Sequence, residues 1–332
     1  MSSVFAFDKK MNASSVLHLS GFNLTAESVI PAFLFATLSY MVILFCNLTL
    51  ILTIVLNKSL HQPMHLILLN LPINDLIGSS ALFPQLIKEI LTNSRRIQYS
   101  ACVTQAFFIH VYAAGTVFHL AAMAYDRFLA ICHPLQYNTV MTNAHIMKLI
   151  ALVWSSSLVL IGVLFILLLR LDNCRSEISN PYCDNPNLLS LVCGDTTINN
   201  VYGLFISVAF ANAMVTLLFP LSFIIFSYFS IIVAVLKMTK AEGYHKVLST
   251  CAPQILTTCL YYVPRCVVYI TDNLKVKVSP DARIIIALLY SLIPAAVNPL
   301  IYCLKTADIK EALMKRFKNR KINIAFKSNT KP

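Results

Sequence analysis

The amino-acid sequence predicts an all-α membrane protein: a seven-transmembrane helix bundle with a short amphipathic cytoplasmic helix after it. Two observations predict this fold class. Of the 332 residues, 58% are hydrophobic and 12% are charged, which is too apolar for an ordinary soluble domain of this length. The apolar residues fall into seven runs, each long enough for the roughly 20 residues that one helical crossing of a bilayer needs. Helices also satisfy their own backbone polar groups in lipid, as an open sheet cannot.

The seven runs define the expected spans, numbered one to seven along the chain. They cover residues 31–56, 64–88, 102–128, 145–169, 202–236, 247–272 and 283–304. We therefore expect an outer N-terminal segment at 1–30, a membrane domain at 31–304 and an inner tail at 305–332. The start of the chain lacks the pattern of a cleaved signal peptide, so span one is expected to direct insertion. The long loop at 170–201 holds three cysteines, which argue that it is ordered and functional.

The orientation follows from the tail, two sequons and four cysteines. The tail holds nine lysines and arginines, which favours a cytoplasmic C-terminus, although the loops alone do not. Asn12 and Asn23 begin glycosylation sequons that are usable only if the N-terminus is outside. Four cysteines then fall on the outer side, where oxidation lets them pair in three alternative ways: Cys102, Cys174, Cys183 and Cys193.

Polar side chains inside the spans need a reason, because charge is costly in lipid. Asp75 lies in span two, with Asn47 in span one and Asn298 in span seven as candidate partners. We expect an interior polar cluster that can hold water or a cation, with sodium as the candidate metal ion. The alternative is a purely structural group of hydrogen bonds.

Asp126 and Arg127 stand side by side at the inner end of span three, in MAYDRFLAICHPLQY. Arginine is always charged and carries five donors, so Asp126 could hold it in one state and release it in another. The alternative is an arginine that anchors the helix end at the interface. Pro220, Pro264 and Pro299 interrupt spans five, six and seven and suggest a set of hinges.

The inner tail begins with an amphipathic pattern. Ile309, Leu313 and Phe317 recur at four-residue steps among lysines and arginines, which predicts a helix lying on the inner leaflet, with membrane lipids as its partners.

Five stretches, in order along nearly the whole chain, carry a family resemblance. They are PMHLILLNLPINDL in span two, MAYDRFLAICHPLQY in span three, FSYFSII in span five, HKVLSTCAPQIL in span six and NPLIYCLKTADIKEAL from span seven into the inner tail. The chain is identified by this resemblance as a class A (rhodopsin-like) G-protein-coupled receptor and, within that class, as an odorant (olfactory) receptor. The resemblance implies a plasma-membrane receptor for a small odorant that activates a stimulatory, cAMP-raising heterotrimeric G protein. It implies no enzyme activity, no cofactor and no nucleic-acid partner.

The resemblance also implies roles for matching residues. Arg127 would meet the G protein, and Tyr228 and Tyr302 would rearrange on activation. Disulfides Cys102–Cys183 and Cys174–Cys193 would build a lid from the long loop. The chain departs from the family pattern at three places, which are Phe128 for a tyrosine, Pro253-Gln254 for Ser-His and Cys46 for a glycine.

The implied ligand pocket lies in the outer half of spans three, five, six and seven. Its candidate residues are His110, Ala113, Ala114 and Val117 on span three, Asn212 and Thr216 on span five, and Tyr262, Arg265 and Tyr269 on span six. Arg265 lies inside its span with no evident acidic partner, so we expect it, aided by His110, to bind a carboxylate or sulfate. The alternative is that Arg265 reaches outward to headgroups or to Asp172, Glu177 or Asp184 in the lid.

Other function classes remain as alternatives. A non-olfactory class A receptor for a lipid, amine or steroid is one, although an amine would require an acid where Ile109 and His110 stand. A transporter or channel should show internal repeats and several mid-membrane charges, and the sequence shows neither. A membrane enzyme should show metal-ligand spacing or a Ser/His/Asp set, and the eight histidines form no such pair.

Overall fold

The structure is a computed structural model that describes residues 16–20, 25–178, 180–192, 224–230, 233, 251–264, 266, 280–316 and 318, with backbone alone for 280–292. Several predicted positions lie outside these residues. They are Asn12, Asn23, Cys193, Asn212, Thr216, Pro220, Arg265, Tyr269 and Phe317.

Four helices in the described part of the chain are long and apolar enough to cross a membrane. They are Ala26–Leu56, Pro63–Thr92, Tyr99–Cys132 and Asn143–Leu169. These helices are spans one to four, and each extends beyond its predicted start or end. The helix Pro280–Lys305 corresponds to span seven. Residues 224–230 and 251–264 are helical within predicted spans five and six, and residues 307–316 are helical after span seven.

Local chemistry explains where several of these helices break or end. Span two is divided at Leu69 into helices Pro63–Leu68 and Asn70–Thr92. Pro72 follows shortly after, has no N–H to donate to the Leu68 carbonyl four residues earlier, and places its ring against that carbonyl, which explains the break. The span then ends at Asn93, whose φ of 49° is left-handed, a conformation that asparagine tolerates. Span four starts after Thr142, whose hydroxyl accepts from the His145 amide.

The end of the bundle that the sequence predicts to be outer carries a small sheet that the sequence did not predict. Strand β1 (Val16–Leu19) lies between β2 (Arg96–Gln98) and β3 (Glu177–Ile178). It pairs antiparallel with β2 and parallel with β3. The described part of the N-terminal segment therefore packs with the long loop through the pairing of β1 with β3.

The long loop is also more regular than expected. It contains β3 and the helix Asn185–Ser190, and the Asp184 side chain caps that helix by accepting from the Asn187 amide. A disulfide joins Cys102 at the start of span three to Cys183 in the loop. Cys174 is disulfide-bonded as well, and its predicted partner Cys193 lies outside the described residues.

Two apolar clusters hold the bundle at its two ends. The outer cluster includes Leu17 and Leu19 of β1, Cys102, Phe165 and Leu188. The inner cluster joins spans one to four to Tyr302 of span seven and to Ile309 of the helix after it, and both of those side chains are buried. Burial of apolar area at each end fixes the relative positions of the spans, and therefore of the polar groups between them.

Candidate functional site

The inner end of span three holds Asp126 and Arg127 in an almost dry environment. Asp126 is 2% exposed and Arg127 is 9% exposed. The Arg127 Nε lies 3.9 Å from Asp126 Oδ2, which is an ion-pair distance but too long for a hydrogen bond. The Tyr137 hydroxyl donates to the other carboxylate oxygen, Asp126 Oδ1, at 2.7 Å. The short contact of Asp126 is therefore with Tyr137.

Tyr137 reaches Asp126 because the chain turns back after span three. The turn continues into the short helix Pro134–Val140, which brings the tyrosine ring under the end of span three. Burial raises the pKa of Tyr137, and the charge of Asp126 and the hydrogen bond to it raise that pKa further. The hydroxyl thus keeps its proton at physiological pH and stays a donor.

Described residues of spans five and six pack at the inner end of span three, where Cys251 lies against Cys132 and Tyr228. Arg127, Cys251 and Tyr302 are polar neighbours that act electrostatically on Tyr228. The Tyr228 hydroxyl is buried and has no hydrogen-bond partner within the described part of the chain. Tyr228 therefore carries a buried donor close to Arg127, and such a group gains a partner if the surrounding helices shift.

Two hydrogen bonds tie span six to span three. Gln254 Nε2 donates to the Leu120 carbonyl at 3.2 Å, and the Tyr261 hydroxyl donates to the Ala113 carbonyl at 2.8 Å. Gln254 is one of the two positions at which this sequence departs from the family's Ser-His. The Gln254 amide therefore holds the inner half of span six against span three.

In the predicted interior polar cluster, the side chains of Asp75 and Asn47 have separate hydrogen-bond partners. Asn298 Nδ2 donates to Asp75 Oδ2 at 3.2 Å, whereas Asn47 Nδ2 donates to the carbonyls of Ile43 and Ala295. Asp75 is fully buried, and its Oδ1 has no hydrogen-bond partner in the residues with described side chains. Such an oxygen can accept from water or bind a cation. No group of three or more His, Cys, Asp or Glu in the described part is placed to hold a metal ion.

The outer half of span three presents the predicted pocket residues on one side. His110, Ala113, Ala114 and Val117 are all partly buried. Val117 packs on the buried cluster that contains Tyr262, so the structure brings together one predicted pocket residue from each of spans three and six. Of the other predicted pocket residues, Asn212, Thr216, Arg265 and Tyr269 lie outside the described residues.

An acid of the lid, Asp184, interacts electrostatically with His110, and sequence reasoning had not assigned it to the pocket. Asp184 follows Cys183 and accepts from the backbone and side-chain nitrogens of Asn187 at 2.9 and 2.6 Å. Burial raises the pKa of Asp184, while the Asn187 donors and the charge of His110 offset part of that rise. The Nδ1 of His110 contacts the Ala106 carbonyl at 2.8 Å and must donate there, because a carbonyl only accepts.

Two further functional contacts escaped sequence reasoning. Tyr137 is the last residue of MAYDRFLAICHPLQY, the motif that contains Asp126 and Arg127. A tyrosine hydroxyl shortly after a carboxylate at a helix end is the sequence feature that could have predicted this contact. Gln105 joins the lid to the bundle by accepting from the Cys183 amide at 2.9 Å and donating to the Ala81 carbonyl at 3.0 Å. No local pattern marks Gln105, since both partners are distant in sequence.

Comparison with known proteins gives one consistent result. A family model described as olfactory receptor matches residues 36–320. The chain is 33% identical over 317 residues to olfactory receptor 10A3 of Homo sapiens, covering 95% of this chain and 98% of that protein. It is 37% identical over 277 residues to the human olfactory receptor 7G2, with 83% of each chain covered. It is 35% identical over 275 residues to olfactory receptor 7E178 of Mus musculus, with 82% and 81% covered.

Proposed function

Because this chain belongs to the olfactory receptor family, we propose that it is an odorant receptor that activates a stimulatory, cAMP-raising heterotrimeric G protein. The observation that carries the proposal is the buried group at the inner end of span three. Arg127, the residue expected to meet the G protein, lies beside Asp126, and Tyr137 holds the Asp126 carboxylate. A guanidinium kept out of water next to a removable partner can act as a switch.

The mechanism is a shift between two populations of the receptor. An odorant that binds the active arrangement more tightly than the resting one favours outward movement of the inner end of span six. That movement breaks the Gln254 contact with the Leu120 carbonyl and opens space beside Arg127. Arg127 then leaves Asp126, and a groove forms for the C-terminal helix of the G protein.

The proposed orientation places the N-terminus outside the cell and the C-terminus in the cytoplasm, with the receptor in the plasma membrane as a seven-span protein. The sheet supports this orientation, because β1 of the N-terminal segment pairs with β3 of the loop that carries the Cys102–Cys183 disulfide. Disulfides form in oxidising compartments. Glycosylation of Asn12 and Asn23 is part of the same proposal.

The proposed ligand is a small odorant with an acidic group that binds Arg265 in the outer half of the bundle. His110 supports a polar pocket there, because it lies on the partly buried side of span three. Asp184 shares the surroundings of His110 and would repel an anion placed beneath the lid. The acidic group should therefore bind on the side of span six, with the apolar part of the odorant toward Ala113 and Val117.

A cAMP reporter assay tests the proposal in cells that express the receptor with an olfactory-type stimulatory G protein. Matched panels of carboxylates, sulfates, neutral odorants and amines are compared. We expect selective responses to the anions that Arg265→Ala removes and that Arg175→Ala, a matched charge change in the exposed part of the lid, preserves.

Three outcomes would contradict parts of the proposal. Responses to neutral compounds alone would keep the receptor and reject the role of Arg265. Unchanged anion responses in Arg265→Ala at normal surface level would reject it as well. A receptor that binds its odorant yet raises no cAMP would reject the stimulatory class of G protein.

A further inference from the structure

A groove of about 750 Å³ runs along the outer half of the bundle between span two and the start of span three. It opens on the surface of the bundle, because Pro84, Lys88, Ser100 and Thr104 on its walls are exposed. A second groove of about 380 Å³, between spans three and four, shares Thr104 and Phe108 with the first. The two grooves therefore meet on either side of the Phe108 ring.

The upper part of the first groove is polar and basic. Lys88 and Gln85 line it from span two, and the hydroxyls of Ser100 and Thr104 line it from span three. The Nε2 of Gln85 is buried and has no hydrogen-bond partner among the residues that the structure describes. An orphaned buried donor is costly, so an acceptor supplied by a ligand would satisfy it.

The lower part of the groove is apolar. Ile77, Ala81 and Pro84 of span two continue the wall below Gln85, and Phe108 closes it from span three. Ile77 and Lys88 are eleven positions apart, which corresponds to about 16 Å along a helix. The groove thus has a basic end near the outer surface and an apolar length directed toward the middle of the membrane, which is the orientation of an amphiphile in one leaflet.

We propose that this groove binds a single-chain anionic amphiphile, a free fatty-acid carboxylate, separately from the odorant pocket and independently of the proposed function. The carboxylate accepts from Lys88 Nζ and Gln85 Nε2, and the chain lies along Ile77 and Phe108. A volume of about 750 Å³ suits one small ligand and is too small for a two-chain phospholipid. Charge complementarity selects the carboxylate, because the groove places a lysine and an orphaned amide donor together.

The groove also touches the lid through one side chain. Gln105 lines it, and the same Gln105 accepts from the Cys183 amide and donates to the Ala81 carbonyl. An occupant of the groove therefore lies one side chain away from the disulfide that anchors the long loop.

Photoaffinity labelling tests the proposal on the full-length receptor in phosphatidylcholine nanodiscs. The probe is palmitate with a diazirine near its methyl end, the labelled peptides are mapped, and competitors are palmitate, methyl palmitate, lysophosphatidylcholine and cholesterol. We expect labelling in spans two and three that palmitate displaces about tenfold more strongly than its methyl ester does. Lys88→Gln should weaken the displacement by palmitate about tenfold, and Arg96→Gln, an exposed charge outside the groove, should leave it unchanged.

A second variant tests the apolar part without touching the charge. Ala81 lies on the apolar wall of the first groove and is partly exposed, so Ala81→Leu narrows the space in which the chain lies. We expect this second variant to reduce the labelling or move it to other residues while Lys88 stays in place. The proposal can therefore still be tested if Lys88→Gln does not fold. Equal displacement by acid and ester, displacement by cholesterol or lysophosphatidylcholine alone, or labelling that neither variant changes would overturn the proposal and leave an adventitious membrane lipid in the groove.

Discussion

Replacing Tyr137 by phenylalanine should raise the basal activity of the receptor. The change removes the hydroxyl that donates to Asp126 Oδ1 at 2.7 Å and keeps the ring. Asp126 then loses its short hydrogen bond and is left with Arg127 at 3.9 Å. The proposed mechanism assigns this contact to the resting arrangement, so its loss should favour the arrangement in which Arg127 is released.

The magnitude follows from the surroundings of the bond. A hydrogen bond to a charged group contributes about 1.5–3 kcal/mol, and the lower end applies because the Tyr137 ring is only partly buried. About 1.4 kcal/mol corresponds to a tenfold change in an equilibrium. A receptor whose active state is populated at about 1% would therefore reach about 10%, which is a tenfold rise in basal signalling.

The assay is agonist-free cAMP accumulation, divided by the amount of receptor at the cell surface. Asp126→Asn alone and the double variant with Tyr137→Phe complete a double-mutant cycle. If the two residues act through one bond, the double variant is no more active than Asp126→Asn. Equal basal activity of Tyr137→Phe and wild type at equal surface level, or fully additive effects in the cycle, would refute the reasoning.

Three further changes have expected outcomes. Gln254→Leu removes a neutral hydrogen bond of about 0.5–1.5 kcal/mol between spans three and six, so basal cAMP should rise about two- to tenfold, and a lower basal level would contradict this. Gly115→Val places a Cβ against the Asn74 side chain and should lower the unfolding free energy by about 1–3 kcal/mol, seen as a lower Tm of the purified receptor. Gly162→Val, which meets open space, is its control and should show no such loss. Asp75→Asn should abolish any shift of agonist potency with sodium concentration, and a sodium shift that survives would exclude Asp75 as the cation site.

The family and the character of the fold could be predicted from the sequence because both are written in local patterns. Lipid requires long apolar helices, so run length alone located spans one to four to within a few residues of their ends. The motifs around Asp126, Asp75 and Asn298 are contiguous stretches, and their order along the chain indicated the olfactory receptor family that the comparisons show.

The contacts of the site were less accessible to sequence reasoning. Asp126 and Arg127 are neighbours in the chain, yet the closest partner of Asp126 is Tyr137, which arrives through the turn into helix Pro134–Val140. Asn47 was a candidate partner of Asp75, and its side-chain amide donates to the carbonyls of Ile43 and Ala295. Hydrogen-bond geometry depends on tenths of an ångström, and residue type and spacing do not determine it.

By itself, the sequence determined the helical membrane character of this protein, its family and the residue types available at each level of the bundle. Only the tertiary structure decided which of those groups meet. It inserted the N-terminal strand β1 between β2 and β3, tied Gln254 to a carbonyl 134 residues away, and joined the Cys183 amide of the lid to Gln105. The physical reason is that hydrophobic periodicity reports burial in each segment separately, whereas the pairing of polar groups depends on how the segments pack together.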